Sequence, residues 1–465
     1  MLALSLEEIA AAIGGVVHDA DDPAVTVVAP VVFDSRQVER GGLFVALPGE
    51  RVDGHDFAAA ATEAGAAGVL ASRPVGVPAI VVEDVVTAYG RLARALVDRL
   101  GNATVIGVTG SVGKTSTKDI LGQVLAGFGD TVTNRASNNN ELGLPYTVTR
   151  ATADTRYLVL EMGARGIGHI RYLTSIAPPR VGVVTKIGFA HVGEFGSVDN
   201  IVTAKGELVE ALPDDGLAVL NADDPKVLGM AARTRARVLT FGLDDNADVR
   251  AEDVTSDDLG RPVFRLVFGA DRAEVRLRLY GTHQVANALA AAAVAIGLGH
   301  PVGAVAEGLS QAEALSPGRM QVTVRPDGIT VINDAYNASP DAMRAALLAL
   351  ADMSARDGRR AVAVLGEMAE LGDQATQTHR EIGERVAGIG AAWLVAIGGD
   401  GADQYAAGAS TGSTVVDRVP DASAALGKLR VGLRPGDVVL VKAANAAGLQ
   451  ALAHQLTESD GVPVV

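Results

Sequence analysis

Short apolar runs alternate along the chain with longer amphipathic segments, which indicates strands separated by helices. Continuous apolar runs occur at residues 157–160, 181–185 and 217–220, and short runs that also predict strands occur at 104–108, 329–333, 361–365, 394–397 and 438–441. Helical segments are predicted at 114–127, 198–212, 284–298, 340–353, 377–388 and 422–429. Runs that are apolar at every position are typical of parallel sheets covered on both faces. The pattern therefore predicts two doubly wound arrays of strands and helices.

The first hundred residues and two breaks in the pattern complete the predicted organisation. A capping box at Ser5 and Glu8 predicts the start of a helix, and strands are predicted at 25–32, 42–47 and 79–82. A charged, alternating stretch at 249–280 predicts an antiparallel edge. Breaks at 101–103 and 316–319 predict domains at 1–101, 102–315 and 316–465. We therefore expect a three-domain α/β protein with a small N-terminal α/β domain, a central parallel-sheet domain and a C-terminal Rossmann-like domain.

Composition limits the cellular compartments and the classes of binding partner that are expected for this chain. The 465-residue chain has a formal net charge of −15 and no cluster of Lys and Arg, which argues against nucleic acid or an anionic membrane as a partner. Its longest uncharged apolar run, 288–298, is far shorter than the ~20 residues that span a bilayer. Glu7 and Glu8 interrupt the first apolar stretch, unlike a signal peptide. The absence of cysteine excludes disulfides, thiolate metal sites and cysteine nucleophiles, so we expect a cytoplasmic enzyme.

A glycine-rich turn joins the run at 104–108 to the next helix. It reads Thr109-Gly110-Ser111-Val112-Gly113-Lys114-Thr115-Ser116. Glycines let backbone N–H groups face a phosphate, and the helix N-terminus adds its positive dipole end. Lys114 would neutralise phosphate oxygens, and the Thr115 hydroxyl can bind Mg²⁺. Val108 occupies the place of the first glycine of the full pattern, so an ordinary strand–helix turn is the alternative. The turn predicts a P-loop ATPase domain.

Other polar groups near strand ends are weaker signals. Glu161 directly follows the run at 157–160, where a carboxylate can reach a metal ion at the phosphate loop, although a helix cap is the alternative. His191 lies in the loop after 181–185, and Lys205 lies on the predicted helix 198–212. A lone histidine or lysine in such a place is more often solvated. The three asparagines at 138–140 favour a polar binding loop, with a surface turn as the alternative.

Together, the order and spacing of these motifs resemble the Mur ligase family, ATP-dependent enzymes that form amide bonds in peptidoglycan synthesis. The resemblance spans nearly the whole chain, and its specificity comes from the combination of motifs. Beyond the phosphate loop and the asparagine run, it rests on Asp34-Ser35-Arg36, Asp53-Gly54-His55, Glu161-Met162-Gly163-Ala164, Ala190-His191, Phe195-Gly196-Ser197, Ala204-Lys205-Gly206-Glu207, Gly281-Thr282-His283 with Asn287, Pro317-Gly318-Arg319, Asp334-Ala335-Tyr336-Asn337-Ala338 and Leu365-Gly366-Glu367-Met368.

The resemblance implies a role for each group of residues. The implied ATP contacts are Thr109, Gly110, Ser111, Val112, Gly113, Lys114, Thr115, Ser116, Asn287, Arg319, Asp334 and Tyr336. The implied catalytic residues are Lys114, Glu161, His191 and Lys205. Two Mg²⁺ ions are implied, one held by Thr115 and Glu161, the other by His191 and by a carbamate on Lys205, whose anionic oxygens suit Mg²⁺. The implied substrate contacts are Ser35, Arg36, Asp53, Gly54 and His55 for the UDP part, and Asn138 and Asn139 for the muramoyl-peptide.

Two segments resemble the branch of the family that adds D-alanyl-D-alanine, namely 161–164 and 336–338. This implies a monomeric ligase that joins D-alanyl-D-alanine to UDP-N-acetylmuramoyl-tripeptide through an acyl phosphate. The chain has Lys442-Ala443-Ala444-Asn445 where that branch usually has Lys-Gly-Ser-Arg, so the role of the usual arginine stays open. The third residue of the acceptor peptide, lysine or a diamino acid, also stays open.

Two other functions remain as alternatives. One is another amide ligase of the superfamily, such as an amino-acid-adding Mur ligase or a folylpolyglutamate synthase. Asp34-Ser35-Arg36 and Asp53-Gly54-His55 argue against the synthase, because they fit a UDP-sugar site. The other is a non-catalytic nucleotide-binding switch, which would explain the phosphate loop and none of the other motifs.

Overall fold

The chain folds into three α/β units, each built on its own sheet. The structure is a computed structural model and describes residues 1–49, 52–189, 192–257, 259–355 and 358–458. The three units follow one another along the chain, and each consists of strands alternating with helices. This architecture confirms the predicted fold class.

The N-terminal unit contains a small mixed sheet. Its elements are β1 (Leu4–Ser5), α1 (Leu6–Ile13), β2 (Val16–His18), β3 (Thr26–Val27), β4 (Val31–Val32), β5 (Leu43–Val45), α2 (Ala58–Glu63), β6 (Gly68–Ala71), β7 (Ala79–Val81) and α3 (Val85–Arg99). Five strands form a sheet in the order β2-β7-β6-β5-β4, in which β2 alone runs antiparallel to its neighbour. The predicted capping box starts α1, since the Ser5 hydroxyl accepts from the Glu8 N–H and the Glu8 carboxylate accepts from the Ser5 N–H.

The single strand predicted at 25–32 is wrong. The segment contains two short strands in different sheets, because β3 pairs with β1 whereas β4 pairs with β5. Pro30 lies between them and has no N–H to donate to a strand ladder. The N–H groups of Val28 and Ala29 donate instead to the carbonyl of Gly41. The chain therefore leaves the first sheet before it enters the second.

The central unit contains a nine-stranded sheet. Its elements are β8 (Thr104–Thr109), α4 (Lys114–Ala126), β9 (Thr131–Thr133), α5 (Gly143–Val148), β10 (Tyr157–Glu161), α6 (His169–Ile176), β11 (Val181–Val184), α7 (Val192–Phe195), α8 (Val198–Glu210), β12 (Leu217–Asn221), α9 (Pro225–Leu228), β13 (Arg237–Gly242), β14 (Val249–Ser256), β15 (Pro262–Phe268), β16 (Asp271–Arg276), α10 (His283–Gly297) and α11 (Val302–Gln311). The strand order is β16-β15-β14-β13-β12-β11-β8-β10-β9.

The central sheet is parallel from β9 to β14 and antiparallel at β15 and β16. The predicted antiparallel edge is therefore confirmed. Helices α4 and α10 pack on one face and α8 packs on the other, so the middle strands are buried on both sides. Strand β8 lies between β10 and β11, which brings the carboxyl ends of these three strands together.

The C-terminal unit is a doubly wound sheet of six strands. Its elements are β17 (Gln321–Val324), β18 (Thr330–Asn333), α12 (Pro340–Ala355), β19 (Ala361–Gly366), α13 (Ala375–Gly388), β20 (Trp393–Ile397), α14 (Asp400–Ala409), β21 (Val415–Val419), α15 (Ala422–Gly432), β22 (Val438–Lys442) and α16 (Gln450–Thr457). The order is β17-β18-β22-β19-β20-β21, and all strands except β17 are parallel.

The N-terminal unit contacts the central unit through α3, which packs against α5 and α6. The ring of Phe33 meets Tyr89 of α3 edge-on, with centroids 5.3 Å apart, and lies 6.3 Å from Tyr146 of α5. Aromatic pairs at these distances add to the burial energy of an interface. Among the described helices, none combines the length and the apolar character needed to cross a membrane.

Candidate active site

The phosphate loop connects β8 to α4 as predicted. Gly110 and Gly113 have φ angles of +147° and +87°, which L side chains rarely adopt. A Cβ on Gly113 would also lie 2.5 Å from the Asn287 Oδ1 atom. No side chain caps the N-terminus of α4, so its first N–H groups are available to an anion. The loop thus has the backbone geometry of a phosphate site.

Lys114 folds back over this loop. Its ammonium donates to the carbonyls of Gly110 and Ser111 at 2.8 and 3.4 Å. Burial lowers the pKa of Lys114, and the charge of Glu161 partly offsets that effect. The lysine is therefore held beside the place where a phosphate would bind, as a compact positive charge.

Thr115 and Glu161 meet beside the loop. The Thr115 hydroxyl donates to the Glu161 Oε2 atom at 2.9 Å, and the Asn139 amide donates to Oε1 at 2.7 Å. The Ser137 hydroxyl lies 3.2 Å from that of Thr115. In the part of the chain that the structure describes, no three acidic or histidine side chains cluster as a metal site. Mg²⁺ needs only one or two protein oxygens when phosphates and water complete its shell, so this pair fits the ion.

Lys205 is buried in α8 close to the same group. Only 2% of its surface is exposed, and its ammonium nitrogen lies 5.8 Å from the centre of the Phe195 ring. Burial, and then the charge of Lys114, lower the pKa of Lys205 well below its usual value, while Glu161 acts in the opposite direction. A lysine in this environment favours the uncharged amine. The predicted partner His191 lies outside the described residues.

Arg319, one of the predicted nucleotide contacts, lies in the linker between the central and C-terminal units. The Arg319 guanidinium stacks over the Tyr336 ring at 4.3 Å and reaches the hydroxyls of Thr115 and Ser137 at 3.4 and 3.3 Å. Its Nε atom is buried without a hydrogen-bond partner. A buried donor without an acceptor is energetically unfavourable, so this N–H group is suited to bind an anionic ligand.

Asp334 is already engaged with protein groups. Its Oδ1 atom accepts from the Met320 N–H at 3.1 Å, and its Oδ2 atom accepts from the Lys442 ammonium at 2.5 Å. Lys442 also donates to the carbonyl of Asn337 at 2.9 Å. This buried pair could not be predicted from the sequence pattern, since its members are 108 residues apart.

A cleft of about 1330 Å³ brings most of the predicted residues together. The predicted residues that line it are Ser111, Val112, Gly113, Lys114, Thr115, Ser116, Asn138, Asn139, Glu161, Lys205, Asn287, Arg319, Asp334 and Tyr336. Thr109 and Gly110 do not line it. Thr109 is fully buried and its hydroxyl donates to the Met162 carbonyl at 2.8 Å, so it supports the loop from behind. The cleft therefore brings together, from two units, residues that were predicted to bind phosphate, metal and nucleotide.

The predicted UDP contacts form a separate group. Ser35, Arg36, Asp53, Gly54 and His55 follow β4 and β5 and do not line the cleft. They follow the carboxyl ends of β4 and β5, two adjacent parallel strands of the small mixed sheet. Asp53 binds the buried His55 ring at 2.5 Å and Arg73 at 3.0 Å. The other nitrogen of His55 accepts from the Ser72 N–H at 3.0 Å, after β6.

Sequence reasoning missed Ser72, Arg73 and Ser137, and it named Lys442 only as part of the segment 442–445, without a role. Ser137 directly precedes the asparagine run, and its position there was the only local signal. Ser72 and Arg73 follow β6, a strand that the sequence pattern did not predict. The order of parallel strands decides which loops become neighbours, and that order is a property of the fold.

Comparisons with known proteins agree with this architecture. Family models for the Mur ligase catalytic domain, the Mur ligase middle domain and the glutamate ligase domain match residues 28–101, 108–295 and 318–445. The UDP-N-acetylmuramoyl-tripeptide–D-alanyl-D-alanine ligase of Mycobacterium tuberculosis is 48% identical over 99% of both chains, and the Escherichia coli enzyme of that name is 34% identical over 99% of both.

Solved structures give the same result. MurF from Acinetobacter baumannii matches with a TM-score of 0.88 at 30% identity, over 98% of this chain and 99% of that one. MurF ligase from Thermotoga maritima, in complex with ADP, matches with a TM-score of 0.80 at 30% identity, over 93% of this chain and 97% of that one. The resemblance read from the sequence is confirmed, and the chain belongs to the Mur ligase family.

Proposed function

We propose that the chain is an ATP-dependent, ADP-forming ligase that joins D-alanyl-D-alanine to UDP-N-acetylmuramoyl-tripeptide. The observation that carries this proposal is the 48% identity, over 99% of both chains, to a ligase with those two substrates in its name. The cleft supplies the matching chemistry, because it combines a phosphate loop with Glu161, Lys205 and Arg319. The product is the UDP-muramoyl-pentapeptide precursor of peptidoglycan.

The reaction must first make a carboxylate electrophilic. An oxygen of the tripeptide carboxylate attacks the γ-phosphorus of ATP, the bond to the β-phosphate oxygen breaks, and ADP leaves. The amine of D-alanyl-D-alanine then attacks the acyl carbon, the carbon–oxygen bond to phosphate breaks, and the nitrogen loses a proton. Lys114 would hold the phosphates and stabilise the charge that develops on the transferred group. Closure of the cleft would keep water from the acyl phosphate.

Mg²⁺ binding is proposed at two places. Thr115 and Glu161 would hold one ion, while His191 and a carbamate on Lys205 would hold a second. When bound, the ions neutralise the repulsion between the γ-phosphoryl group and the carboxylate. The carbamate forms when an uncharged amine attacks CO₂ and releases a proton, and the lowered pKa of Lys205 favours that amine.

The residues that would contact the nucleotide and the acceptor peptide are proposed as well. Asn287, Arg319, Asp334 and Tyr336 would bind adenosine and phosphate, alongside the loop from Thr109 to Ser116. Asn138 and Asn139 would contact the muramoyl-peptide near its reacting end. Domain limits of 1–101, 102–315 and 316–465, a monomeric state, a cytoplasmic location and the absence of nucleic-acid and membrane partners remain proposals from the sequence.

The UDP contacts lead to a prediction for Arg36. Its guanidinium is 87% exposed beside Asp34, so it can be removed without disturbing the core. We expect Arg36→Ala to raise KM for UDP-N-acetylmuramoyl-tripeptide by about 10- to 100-fold, because a charge-assisted phosphate contact is worth ~1.5–3 kcal/mol. KM for ATP and kcat should change little. Steady-state kinetics measure this, with the exposed Arg99→Ala as control, and an unchanged acceptor KM would contradict the assignment.

Phosphate release from ATP distinguishes the proposed function from its rivals. We expect release with UDP-N-acetylmuramoyl-tripeptide and D-alanyl-D-alanine together, and a product whose mass equals the sum of both minus water. A single amino acid in place of the dipeptide should give no product. Ligation of an amino acid or a folate would favour another amide ligase. ATP turnover independent of both substrates would favour a nucleotide switch.

A further inference from the structure

Lys118 is a buried cation that the reaction itself does not use. It lies on α4 one turn beyond Lys114, and 1% of its surface is exposed. Taking an ammonium group out of water costs several kcal/mol unless its hydrogen bonds and charge are satisfied. A buried lysine so close to a phosphate loop therefore needs a partner set that explains it.

The ammonium of Lys118 has three acceptors. It donates to the Asp119 carboxylate at 2.5 Å, to the carbonyl of Asn134 at 2.8 Å and to the carbonyl of Ala136 at 3.3 Å. An ammonium has three N–H donors, so each is used. Two of the three acceptors belong to the loop that follows β9. Arginine could not reproduce this arrangement, because its guanidinium is longer and planar.

The loop after β9, which Lys118 holds, contacts Glu161 of the proposed metal site. Asn134 is buried, its amide donates to the Asn138 carbonyl at 2.5 Å, and its Oδ1 atom accepts from the Glu161 N–H at 2.6 Å. Ala136 has a φ of +50°, a strained conformation for a residue with a Cβ. Fixed contacts on both sides of Ala136 hold the backbone in this turn.

The same turn presents two side chains to the site. The Ser137 hydroxyl lies 3.2 Å from the Thr115 hydroxyl, and the Asn139 amide donates to Glu161 at 2.7 Å. The Gly163 N–H donates to the Asn139 carbonyl at 2.9 Å, which ties the loop to the segment after Glu161. The Glu161 Oε1 atom is thus held directly by a loop whose position Lys118 fixes, and the Oε2 atom is linked to the same loop only through Thr115 and Ser137.

We propose that Lys118 is a positioning residue for the divalent-cation site formed by Thr115 and Glu161. It acts through the carbonyls of Asn134 and Ala136 and touches neither substrate nor metal. This inference rests on the proposed ligase function only for its activity readout. Outer-shell partners of a metal ligand typically change metal affinity by 10–100-fold when they are removed.

The test uses two variants and a matched control. Lys118→Met removes the ammonium, and Lys118→Met combined with Asp119→Asn also neutralises the carboxylate that would be left buried. The control is Lys428→Met with Asp417→Asn, because that lysine–aspartate pair is also 2.5 Å apart but half-exposed in the C-terminal unit. Mn²⁺ binding in the presence of ADP is measured by electron paramagnetic resonance, with no acceptor present, and thermal unfolding reports folding.

We expect both Lys118 variants to bind Mn²⁺ about tenfold more weakly and to need correspondingly more Mg²⁺ for half-maximal ligation. KM for D-alanyl-D-alanine and all constants of the control should stay unchanged. A folded double variant with normal Mn²⁺ affinity would overturn the proposal, and so would an unfolded double variant beside a folded control, since Lys118 would then be a core residue. If the wild type fails to ligate but the Mn²⁺ difference persists, the ligase proposal fails and this one stands.

Discussion

Lys114→Ala is expected to reduce ATP-dependent ligation by about 10³-fold, because loss of one preorganised charge at a developing anion costs that much. The ammonium of Lys114 is held over the phosphate loop by the carbonyls of Gly110 and Ser111. It is partly buried and close enough to Glu161 for the two charges to interact, so solvent screens its charge less than at an open surface. Single-turnover and steady-state rates of phosphate release and of pentapeptide formation measure the loss.

Two further variants make this result specific. Lys226→Ala removes an exposed lysine of α9 in the same unit and should leave the rates unchanged. Lys114→Arg keeps a positive charge, but the larger planar group does not fit the narrow loop, so we expect it to restore little activity. Near-normal ligation by Lys114→Ala, with intact folding, would contradict the assignment of the phosphate loop.

The phosphate loop could be predicted because its parts are contiguous. Strand, glycine turn, lysine and threonine follow one another within about a dozen residues, and α4 begins at Lys114 as expected. The doubly wound sheets could be predicted for a similar reason, since their central strands are short runs in which apolar residues predominate. Here local chemistry and the global fold require the same residue types.

Contacts between distant segments could not be predicted in the same way. Arg319 contacts Ser137, which is 182 residues away in the chain. Lys118 contacts backbone carbonyls of the loop after β9, and every residue type has such a carbonyl, so the sequence does not indicate the contact. Strand β6 was not predicted because two of its four residues are Gly68 and Ala71, and glycine and alanine have little preference for strands. The prediction of one strand at 25–32 was wrong because Pro30 divides the segment. Glu161 and Lys205 lie in one cleft because of the order of the strands in the sheet. That order cannot be derived from any single apolar segment of the sequence.

The proposed carbamylation of Lys205 leads to the second prediction with a large effect. Lys205→Ala is expected to be slower by about 10²–10³-fold, since the anionic ligand for a second cation is lost. Wild-type activity should fall when bicarbonate and CO₂ are removed, and should fall as pH is lowered, because protonation of the Lys205 amine prevents its reaction with CO₂. The direction follows from the lowered pKa of Lys205, which keeps the amine uncharged in the folded protein at higher pH.

Chemical rescue separates this role from a loss of packing. A short-chain carboxylate such as acetate can enter the space that Lys205→Ala leaves beside Phe195 and supply the missing anionic oxygens. We expect it to restore part of the ligation rate of Lys205→Ala and none of the rate of Lys114→Ala, whose defect is a missing positive charge. Equal rescue of both variants would point to a general salt effect. If neither bicarbonate removal nor acetate changes the rates, Lys205 acts as an amine, and a cation at this place must be held by other groups.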